Sequence, residues 1–254
     1  MKKYGLLGKK LDHSFSKQYF ESKFSKEGIS NCSYQNYPLS NISEFQSLVN
    51  SNHFSGLNVT IPYKESIIPF LDSLSLEAEK IGAVNTIEFK NGLLIGHHTD
   101  HIGFHNAIKP FLENTMERAL ILGTGGAAKA VIYALEKIGI QCLSVSRTPK
   151  GNQLAYVDLN EYVLKHHLLI VNTTPLGTSP NTNECPDIPY KHLTEKHFLV
   201  DLVYNPSETL FLKKGLEQNA IVLNGKVMLI HQAEEAWKIW KAGEQENRRT
   251  GEQE

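Results

Sequence analysis

Short apolar runs alternate with longer amphipathic stretches along the chain, and this pattern predicts a protein of the α/β class. In the first part of the chain, apolar runs predict strands at residues 4–8, 32–39 and 54–61. Amphipathic stretches predict helices at residues 16–28, 43–50 and 73–82. Asn91 and Gly92 separate two further apolar runs, which is a strong signal for a β-hairpin. Because a hairpin pairs its strands antiparallel, we expect the first sheet to be mixed.

The second part of the chain repeats strand and helix more regularly. After a predicted helix at residues 100–109, a strand at 118–123 runs into a helix at 124–139. Later strands are predicted at residues 142–147, 168–174, 198–204 and 220–225, and a last helix at 227–240. Strands separated by helices favour a parallel sheet with helices on both faces. The polar tail at residues 243–254 is expected to fray or to be disordered.

Composition limits the class of protein. The chain has 254 residues, of which 41% are hydrophobic, so it can form one large or two modest domains with a buried core. A formal net charge of -1 gives no basic surface for nucleic acid or membranes. No apolar run approaches the roughly 18 residues of a spanning helix, and the N-terminus does not resemble a signal peptide. The scattered Cys32, Cys142 and Cys185 indicate reduced thiols, so we expect a cytoplasmic protein.

A glycine-rich turn joins the predicted strand at 118–123 to the helix that follows. Gly123, Gly125 and Ala128 have the spacing G-x-G-x-x-[GA]. The first glycine permits a tight turn, the second lets a pyrophosphate approach the backbone, and the small alanine allows close packing of the helix. Gly126 and Ala127 open the helix, whose N-terminus donates N–H groups to an anion. A turn without a ligand is the alternative, but the order of strand, motif and helix favours a dinucleotide.

The residues after the next predicted strand indicate which dinucleotide is bound. An NAD site ends this strand in an acidic residue that binds the ribose 2′-hydroxyl. Here the chain has Ser146, Arg147, Thr148 and, slightly later, Lys150. Cations and hydroxyl donors suit a 2′-phosphate, so NADP(H) is favoured over NAD. Arg147 is the stronger candidate, since Lys150 could equally lie on a solvated loop.

Polar residues also mark the predicted strand and turn ends of the first part, where open α/β sheets bind ligands. These residues are Ser14, Ser16, Asn58, Thr60, Lys64, Asn85 and Asp100. Each has a purely structural alternative, because serine and aspartate also cap helices and asparagine favours turns. Lys64 comes just after Pro62, whose fixed φ makes a rigid corner, so it is either a surface lysine or a cation aimed at a ligand.

A histidine-rich stretch near Asp100 raises the alternative of a metal hydrolase. His97, His98, His101 and His105 lie in it, and the last two could share one face of a helix. No H-E-x-x-H motif accompanies them, and the first two precede the predicted helix. The sequence therefore favours exposed or locally bonded histidines and no metal.

Eight segments in order carry a resemblance to a known family: residues 13–20, 56–65, 82–87, 98–104, 122–131, 171–178, 201–212 and 224–237. They resemble the shikimate dehydrogenases, and the likeness covers nearly the whole chain. The resemblance implies an N-terminal α/β substrate domain with a mixed, mainly parallel sheet, and a Rossmann-like NADP-binding domain. It places the substrate domain at residues 1–100 and 226–254 and the NADP domain at 101–225. It also implies reversible reduction of 3-dehydroshikimate to shikimate, with a monomer or homodimer expected.

Site residues follow from the same resemblance, position by position. Ser14 and Ser16 match serines that hold the substrate carboxylate, and Tyr204 matches a tyrosine near it. Lys64 and Asp100 match the catalytic pair. The remaining matches are to substrate and nicotinamide contacts: Thr60, Asn85 and Gln232 for the substrate, and Met228 for the nicotinamide.

The chain departs from the family pattern at some of these segments, which leaves alternatives open. His98 and His101 flank Thr99-Asp100 where the family usually has asparagine and glycine, Ser146 replaces an asparagine, and Val227 replaces a glycine near the nicotinamide. A dehydrogenase that also uses quinate or NAD is the first alternative, and a dinucleotide-binding protein without turnover is another. Methylene-tetrahydrofolate dehydrogenase has a similar architecture but fits the Ser14, Ser16 and Gln232 segments less well.

Overall fold

A computed structural model describes residues 1–12 and 14–251, with side chains through residue 243. His13 and residues 252–254, which belong to the motif at 13–20 and to the predicted tail, lie outside the described residues. The chain divides into two compact units. The first unit comprises Met1–Thr99 together with the chain from Gln232 onward, and the second unit comprises Asp100–His231. Which unit binds substrate and which binds cofactor stays a prediction.

The first unit contains a mixed six-stranded sheet in the order β2-β1-β3-β5-β6-β4. Its strands are β1 (Lys2–Gly8), β2 (Cys32–Pro38), β3 (Phe54–Val59), β4 (Ser73–Leu74), β5 (Thr86–Lys90) and β6 (Leu93–His97). β1 pairs parallel with β2 and β3, whereas β5 pairs antiparallel with β3 and β6. The predicted hairpin turn is confirmed, since Asn91 and Gly92 have φ of 51° and 79°, the positive values that a tight hairpin turn requires.

Helices cover both faces of this sheet because its strands are apolar on both sides. The helices of the first unit are α1 (Phe15–Lys26), α2 (Phe45–Asn50), α3 (Leu76–Ile81) and the greater part of α8 (Lys226–Gly251). Tyr4 and Leu6 of β1 pack with Phe20 of α1 and Trp240 of α8, while Leu7 packs in the cluster on the other side. Trp240 also donates from Nε1 to the carbonyl oxygen of Ile87 at 3.0 Å, which ties α8 to β5.

The second unit contains a six-stranded sheet in which every pair is parallel, as the sequence predicts. Its strands are β7 (Arg118–Leu122), β8 (Gln141–Ser146), β9 (Leu154–Ala155), β10 (Leu169–Asn172), β11 (Phe198–Asp201) and β12 (Ile221–Asn224). Their order is β12-β11-β10-β7-β8-β9, so the first strand of the unit, β7, lies centrally and the chain winds outward from it in both directions. This is the doubly wound Rossmann order, in which ligands bind beyond the carboxyl ends of the strands.

The helices of the second unit complete two hydrophobic clusters, one on each face of the sheet. They are α4 (Asp100–Ile108), α5 (Gly126–Glu136), α6 (Glu161–Lys165), α7 (Leu210–Leu216) and the first residues of α8. Phe104, Val131 and Val171 lie in the cluster of α4 and α5, whereas Leu164 and Phe211 lie in the cluster of α6 and α7. Over the part of the chain that the structure describes, no helix combines the length and apolar character needed to cross a membrane.

Several elements differ from the sequence-based predictions. The predicted helix at 73–82 begins with the short strand β4, because Ser73 and Leu74 pair with β6. β9, α6 and α7 are not predicted, since each is too short to show a period of its own. α8 begins at Lys226 and is helical as far as Gly251, so it extends beyond the predicted helix at 227–240, and the expected fraying from residue 243 stays a prediction.

Candidate active site

The first unit contains a buried hydrogen-bond network around Asn85, which is 3% exposed. Asn85 accepts from the backbone N–H of Thr99 through Oδ1 at 2.7 Å and donates from Nδ2 to Thr99 Oγ1 at 3.0 Å. Thr99 Oγ1 in turn donates to Gln232 Oε1 at 3.5 Å. Two predicted substrate residues, Asn85 and Gln232, therefore meet at one buried threonine.

The network continues across the sheet toward α1. Asn58 Nδ2 donates to the Asn85 carbonyl oxygen and to Thr86 Oγ1, both at 3.2 Å, and Asn58 Oδ1 accepts from the Tyr34 hydroxyl at 2.8 Å. Burial raises the pKa of Tyr34, and a hydrogen bond with Ser16 opposes part of that effect. We call this set the buried polar network: Ser16, Tyr34, Asn58, Asn85, Thr86, Thr99 and Gln232. It connects three predicted substrate residues, Ser16, Asn85 and Gln232, through Asn58, which the sequence marked only as a polar residue at a strand end, and through three residues that the sequence did not mark: Tyr34, Thr86 and Thr99.

Lys64 lies just after the turn that follows β3. The N–H of Tyr63 donates to the carbonyl oxygen of Thr60 at 2.9 Å and closes this turn. The N–H of Val84 donates to the carbonyl oxygen of Lys64 at 2.8 Å. The backbone of Lys64 is therefore bonded to the residue directly before Asn85, and two predicted site residues lie on adjacent backbone segments.

Ser14 is the N-cap of α1, which is the purely structural role that the sequence analysis gave as the alternative to substrate binding. Its Oγ accepts from the N–H of Lys17 at 3.3 Å. A hydroxyl that accepts in this way still carries a proton that it can donate. A cavity of about 520 Å³ adjoins Ser14, and Lys9, Lys10 and Lys17 lie in its wall. Asp12 and Glu21 lie in the same wall, so three positive charges are accompanied by two negative ones, and the excess of one positive charge suits an anionic group next to the serine.

Three further predicted site residues lie in the second unit. Asp100 is 8% exposed, is the first residue of α4 and follows Thr99 of the buried polar network directly. Tyr204 comes after the end of β11, and partial burial raises its pKa. Met228 is 8% exposed and packs in the cluster that covers the α4 and α5 face of the sheet.

The glycine-rich turn has the geometry that its sequence predicts. Gly123 has φ of 113°, and a Cβ at this residue would lie 2.7 Å from Thr173 Oγ1. Gly125 is the N-cap of α5 and provides no side-chain cap, while a Cβ built there meets nothing within 4 Å. Neither a side-chain cap nor a Cβ at Gly125 therefore occupies the N-terminus of α5, which starts at Gly126, and the N–H groups at a helix start can bind an anion.

A cavity of about 570 Å³ lies beside this turn, and we call it the glycine-turn cavity. Of the predicted cofactor residues, its wall includes Gly123, Gly125, Ser146, Arg147 and Thr148. Ser146 accepts from the N–H of Thr148 through Oγ at 3.2 Å, which shapes the loop that carries Arg147. Four other predicted cofactor residues are described by the structure but do not line this cavity: Gly126, Ala127, Lys150 and Met228.

Other wall residues were not predicted from the sequence. They are Thr124, Val145, Tyr156, Thr173, Thr174, Pro175, Leu176, Cys185 and Asp187. Burial raises the pKa of Tyr156, and the nearby positive charge of Arg147 opposes this. Thr173 and Thr174 follow a parallel strand at its carboxyl end, and that position is a signal the sequence analysis could have used. Tyr156, Cys185 and Asp187 follow no strand of comparable length, and no sequence pattern marks them.

Part of the histidine-rich stretch is buried, since His98 is 3% and His101 is 5% exposed. His97 Nε2 lies 2.9 Å from Glu88 Oε2 in the first unit, and in the second unit the ring of His101 packs edge-on against Tyr133 with centroids 5.2 Å apart. Among the described residues, no group of at least three histidine, cysteine, aspartate or glutamate side chains could hold a metal ion.

Comparisons with known proteins agree on one family. A family model described as the shikimate dehydrogenase substrate binding domain matches residues 6–87. The chain is 37% identical to the shikimate dehydrogenase (NADP(+)) of Carboxydothermus hydrogenoformans, over 93% of this chain and 90% of that protein.

Solved structures show the same similarity over almost the full length. Shikimate 5-dehydrogenase of Thermus thermophilus, in complex with NADP(H) and shikimate, has a TM-score of 0.83 and 31% identity, covering 98% of this chain and 99% of that one. Quinate dehydrogenase of Corynebacterium glutamicum, in complex with NAD, has a TM-score of 0.83 at 26% identity, covering 95% and 94%. Taken with the Rossmann order of the second sheet and the glycine-rich turn, these similarities show that the chain belongs to the shikimate dehydrogenase family.

Proposed function

We propose that this protein is an NADP-dependent shikimate dehydrogenase, which reversibly reduces 3-dehydroshikimate to shikimate. The observation that carries the proposal is the buried polar network, because residues matched to the family's substrate contacts, Ser16, Asn85 and Gln232, belong to one set of hydrogen bonds. Buried polar side chains held in this way are already oriented for a polar ligand. Membership of the family supports the same activity.

The residues of the glycine-turn cavity fit NADP. Gly123 and Gly125 leave room at the N-terminus of α5, where N–H groups would hold the pyrophosphate. Arg147, with the hydroxyls of Ser146 and Thr148, would bind the 2′-phosphate. Gly126 and Ala127, the first residues of α5, would contribute their N–H groups to the pyrophosphate. We propose smaller contributions from Lys150 and Met228, which match family positions but do not line the cavity. NADPH, when bound, supplies the hydride that the carbonyl carbon accepts.

The proposed substrate contacts are divided by chemistry. Ser14 and Ser16 would donate to the substrate carboxylate. The cavity wall next to Ser14 has an excess of one positive charge, since it includes three lysines and two carboxylates: Lys9, Lys10, Lys17, Asp12 and Glu21. Thr60, Asn85 and Gln232 would bind the ring hydroxyls. Tyr204 would complete the carboxylate contacts as a phenol, since burial raises its pKa and keeps it protonated.

Lys64 and Asp100 are the proposed catalytic residues. As the carbonyl is reduced, negative charge develops on its oxygen, which needs a charged donor and then a proton. The ammonium of Lys64 would be that donor, on a backbone held by the turn at Thr60–Tyr63 and by Val84. Asp100 would act with Lys64 as the second member of this pair.

The finer details of this assignment are also proposals. The first unit would be the substrate domain and the second unit the NADP domain, with the chain returning to the substrate domain in α8. The protein would act in the cytoplasm on a small-molecule substrate, as a monomer or homodimer. The departures at His98, His101 and Val227 would change the rate more than the choice of substrate.

One assay tests the proposal against its nearest alternative. Absorbance at the NADPH band is followed with shikimate and with quinate, each in the presence of NADP+ or NAD+. We expect turnover with shikimate and NADP+. Turnover only with quinate and NAD+ would favour the second candidate, for which the similarity to quinate dehydrogenase is the supporting observation. Binding of NADP+ without turnover of either substrate would favour a dinucleotide-binding protein.

A further inference from the structure

A second buried polar network lies in the second unit, around the carboxylate that ends β11. Asp201 is 0% exposed and accepts three hydrogen bonds. They come from Asn172 Nδ2 at 2.9 Å, from the N–H of Val203 at 3.0 Å and from Thr209 Oγ1 at 2.5 Å. Because every one of these groups is a donor, the carboxylate acts here only as an acceptor.

This carboxylate determines which way the amide of Asn172 points. Asn172 must turn its NH2 group toward Asp201, since its carbonyl oxygen would repel the carboxylate. Its Oδ1 therefore points the other way, where it accepts from the N–H of Thr174 at 3.0 Å and from Thr174 Oγ1 at 2.7 Å. A flipped amide would present its NH2 to the N–H of Thr174 and lose that bond, because two donors cannot pair.

Thr174 belongs to a segment that forms part of the wall of the glycine-turn cavity, Thr173–Leu176. The segment is held on a second side, because Thr173 Oγ1 donates to the carbonyl oxygen of Leu122 at 2.8 Å. Thr174 Oγ1 also accepts from the N–H of Leu176 at 3.3 Å. Asn172 and Leu122 thus hold the wall that faces the glycine-rich turn.

We propose that Asp201 is a positioning residue for cofactor binding, which acts through the amide of Asn172 to hold Thr173–Leu176 in the shape that the dinucleotide requires. This inference rests on the proposed function in so far as NADP is the cofactor. Asp201 does not line the glycine-turn cavity, so its effect on affinity comes from the preorganised wall and not from a contact.

The chain offers a matched control at the opposite end of the same strand. His197 directly precedes β11, is 2% exposed and also makes buried polar contacts, to the N–H of Thr194 at 2.9 Å and to the carbonyl oxygen of Leu164 at 3.1 Å. None of these partners lines the glycine-turn cavity. Removing its imidazole should therefore destabilise the second unit without changing the cavity wall.

The experiment measures the Kd for NADP+ and the KM for shikimate in Asp201→Ala, Asp201→Asn and His197→Ala, at about pH 8 so that the carboxyl is ionised. Asp201→Ala should raise the Kd about tenfold, as expected when a hydrogen bond that holds the wall is lost. Asp201→Asn keeps an acceptor oxygen for Asn172 and should stay within about threefold of the wild type. His197→Ala should lower the Tm but leave the Kd unchanged, and the KM for shikimate should be unchanged in every variant.

Other results would overturn the inference in distinguishable ways. If the wild type does not bind NADP+, the proposed function fails and this inference with it. If the wild type binds but Asp201→Ala binds equally well, or if His197→Ala weakens binding as much, only the positioning role of Asp201 is wrong. Should Asp201→Ala be recovered unfolded, Asn172→Ala breaks the same link and must show the same loss of NADP+ affinity.

Discussion

The backbone at Lys64 and the backbone at Arg147 are held by different hydrogen bonds. The backbone at Lys64 is bonded to the strand segment next to Asn85, so its position is defined by neighbouring elements. Arg147 lies on an exposed loop after β8 and is held by the short-range bond between Ser146 and Thr148. A substitution at either residue should therefore change chemistry or binding more than folding.

Replacement of Lys64 tests the acid–base role. Lys64→Ala should lower kcat by roughly 10²–10⁴-fold, the usual range for a positioned acid–base group, while KM changes far less. Steady-state kinetics check this, with NADP+ affinity measured by fluorescence and expected to be retained. The exposed Lys80 of α3 supplies the control, since Lys80→Ala should leave kcat unchanged.

The proposed pairing of Lys64 with Asp100 is tested by a double-mutant cycle. Asp100→Asn should also lower kcat, and the loss in the double variant should be smaller than the sum of the two single losses if the residues act as a unit. A Lys64→Ala enzyme within about threefold of the wild-type kcat would contradict the catalytic role and leave Lys64 as a surface lysine beside a turn.

Replacement of Arg147 tests the choice of cofactor. Arg147→Ala should weaken NADP+ binding by about 1.5–3 kcal/mol, because one hydrogen bond to a charged group is lost, and should affect NAD+ much less. Titrations with both dinucleotides measure the difference. Lys150→Ala is the comparison, and we expect it to have the smaller effect because Lys150 is outside the cavity wall. Equal losses for NADP+ and NAD+ in Arg147→Ala would mean that the arginine is structural.

At the scale of elements, two helix caps allow an effect on stability to be distinguished from an effect on substrate binding. Ser14 caps α1 by accepting from the N–H of Lys17, and Ser75 caps α3 in the same way through the N–H of Ala78 at 3.2 Å. Only Ser14 is a proposed substrate residue. The chain therefore contains two serine caps of similar geometry, one that is proposed to bind substrate and one that is not.

These two caps allow a paired measurement. Ser14→Ala and Ser75→Ala should each lower the free energy of unfolding by about 1 kcal/mol, the typical cost of losing a serine cap. Ser14→Ala should in addition raise KM for shikimate, because the carboxylate is present in the ground state as well as the transition state. Denaturant unfolding measures the free energy of unfolding of both variants, and steady-state kinetics measure their KM for shikimate. An unchanged KM in Ser14→Ala would show that this serine only caps the helix.

For the molecule as a whole, Asp201 introduces a dependence of stability on pH. Burial raises its pKa from 3.8 to about 6, against the opposing effect of its three hydrogen bonds. The folded state therefore binds a proton more tightly than the unfolded state, and the contribution of this group to stability is complete below about pH 4. It falls as the pH rises through about 6, by about 3 kcal/mol in total.

Comparison with Asp201→Asn isolates this contribution. Unfolding free energies of both proteins are measured between about pH 4 and pH 7, and the wild type should lose stability relative to the variant as the pH rises. His167 and His197, whose pKa values are lowered by burial, act in the opposite direction but are present in both proteins and cancel in the difference. A difference that does not change with pH would contradict the raised pKa.

Features of the fold that depend only on residues close together in the chain were predictable from the sequence. The hairpin at Asn91-Gly92 and the turn at Gly123 require positive φ, which asparagine and glycine tolerate best, so the residue types reveal the backbone conformation. The alternation of apolar and amphipathic segments likewise identified the mixed and the parallel sheet, because side-chain burial imposes its period on each strand and helix. Resemblance to the family added candidate site residues that periodicity alone does not mark.

Contacts between distant segments were decided only by the tertiary structure. Asn85 and Gln232 meet at Thr99, and the amide of Asn172 is oriented by Asp201, although these residues are far apart in the chain. Burial makes each such polar group depend on the partner that packing brings to it, and no local pattern specifies that partner. The sequence by itself therefore determined most of the longer elements, the glycine-rich turn and the resemblance to the family, whereas long-range packing decided the short elements, the polar networks and the cavity wall.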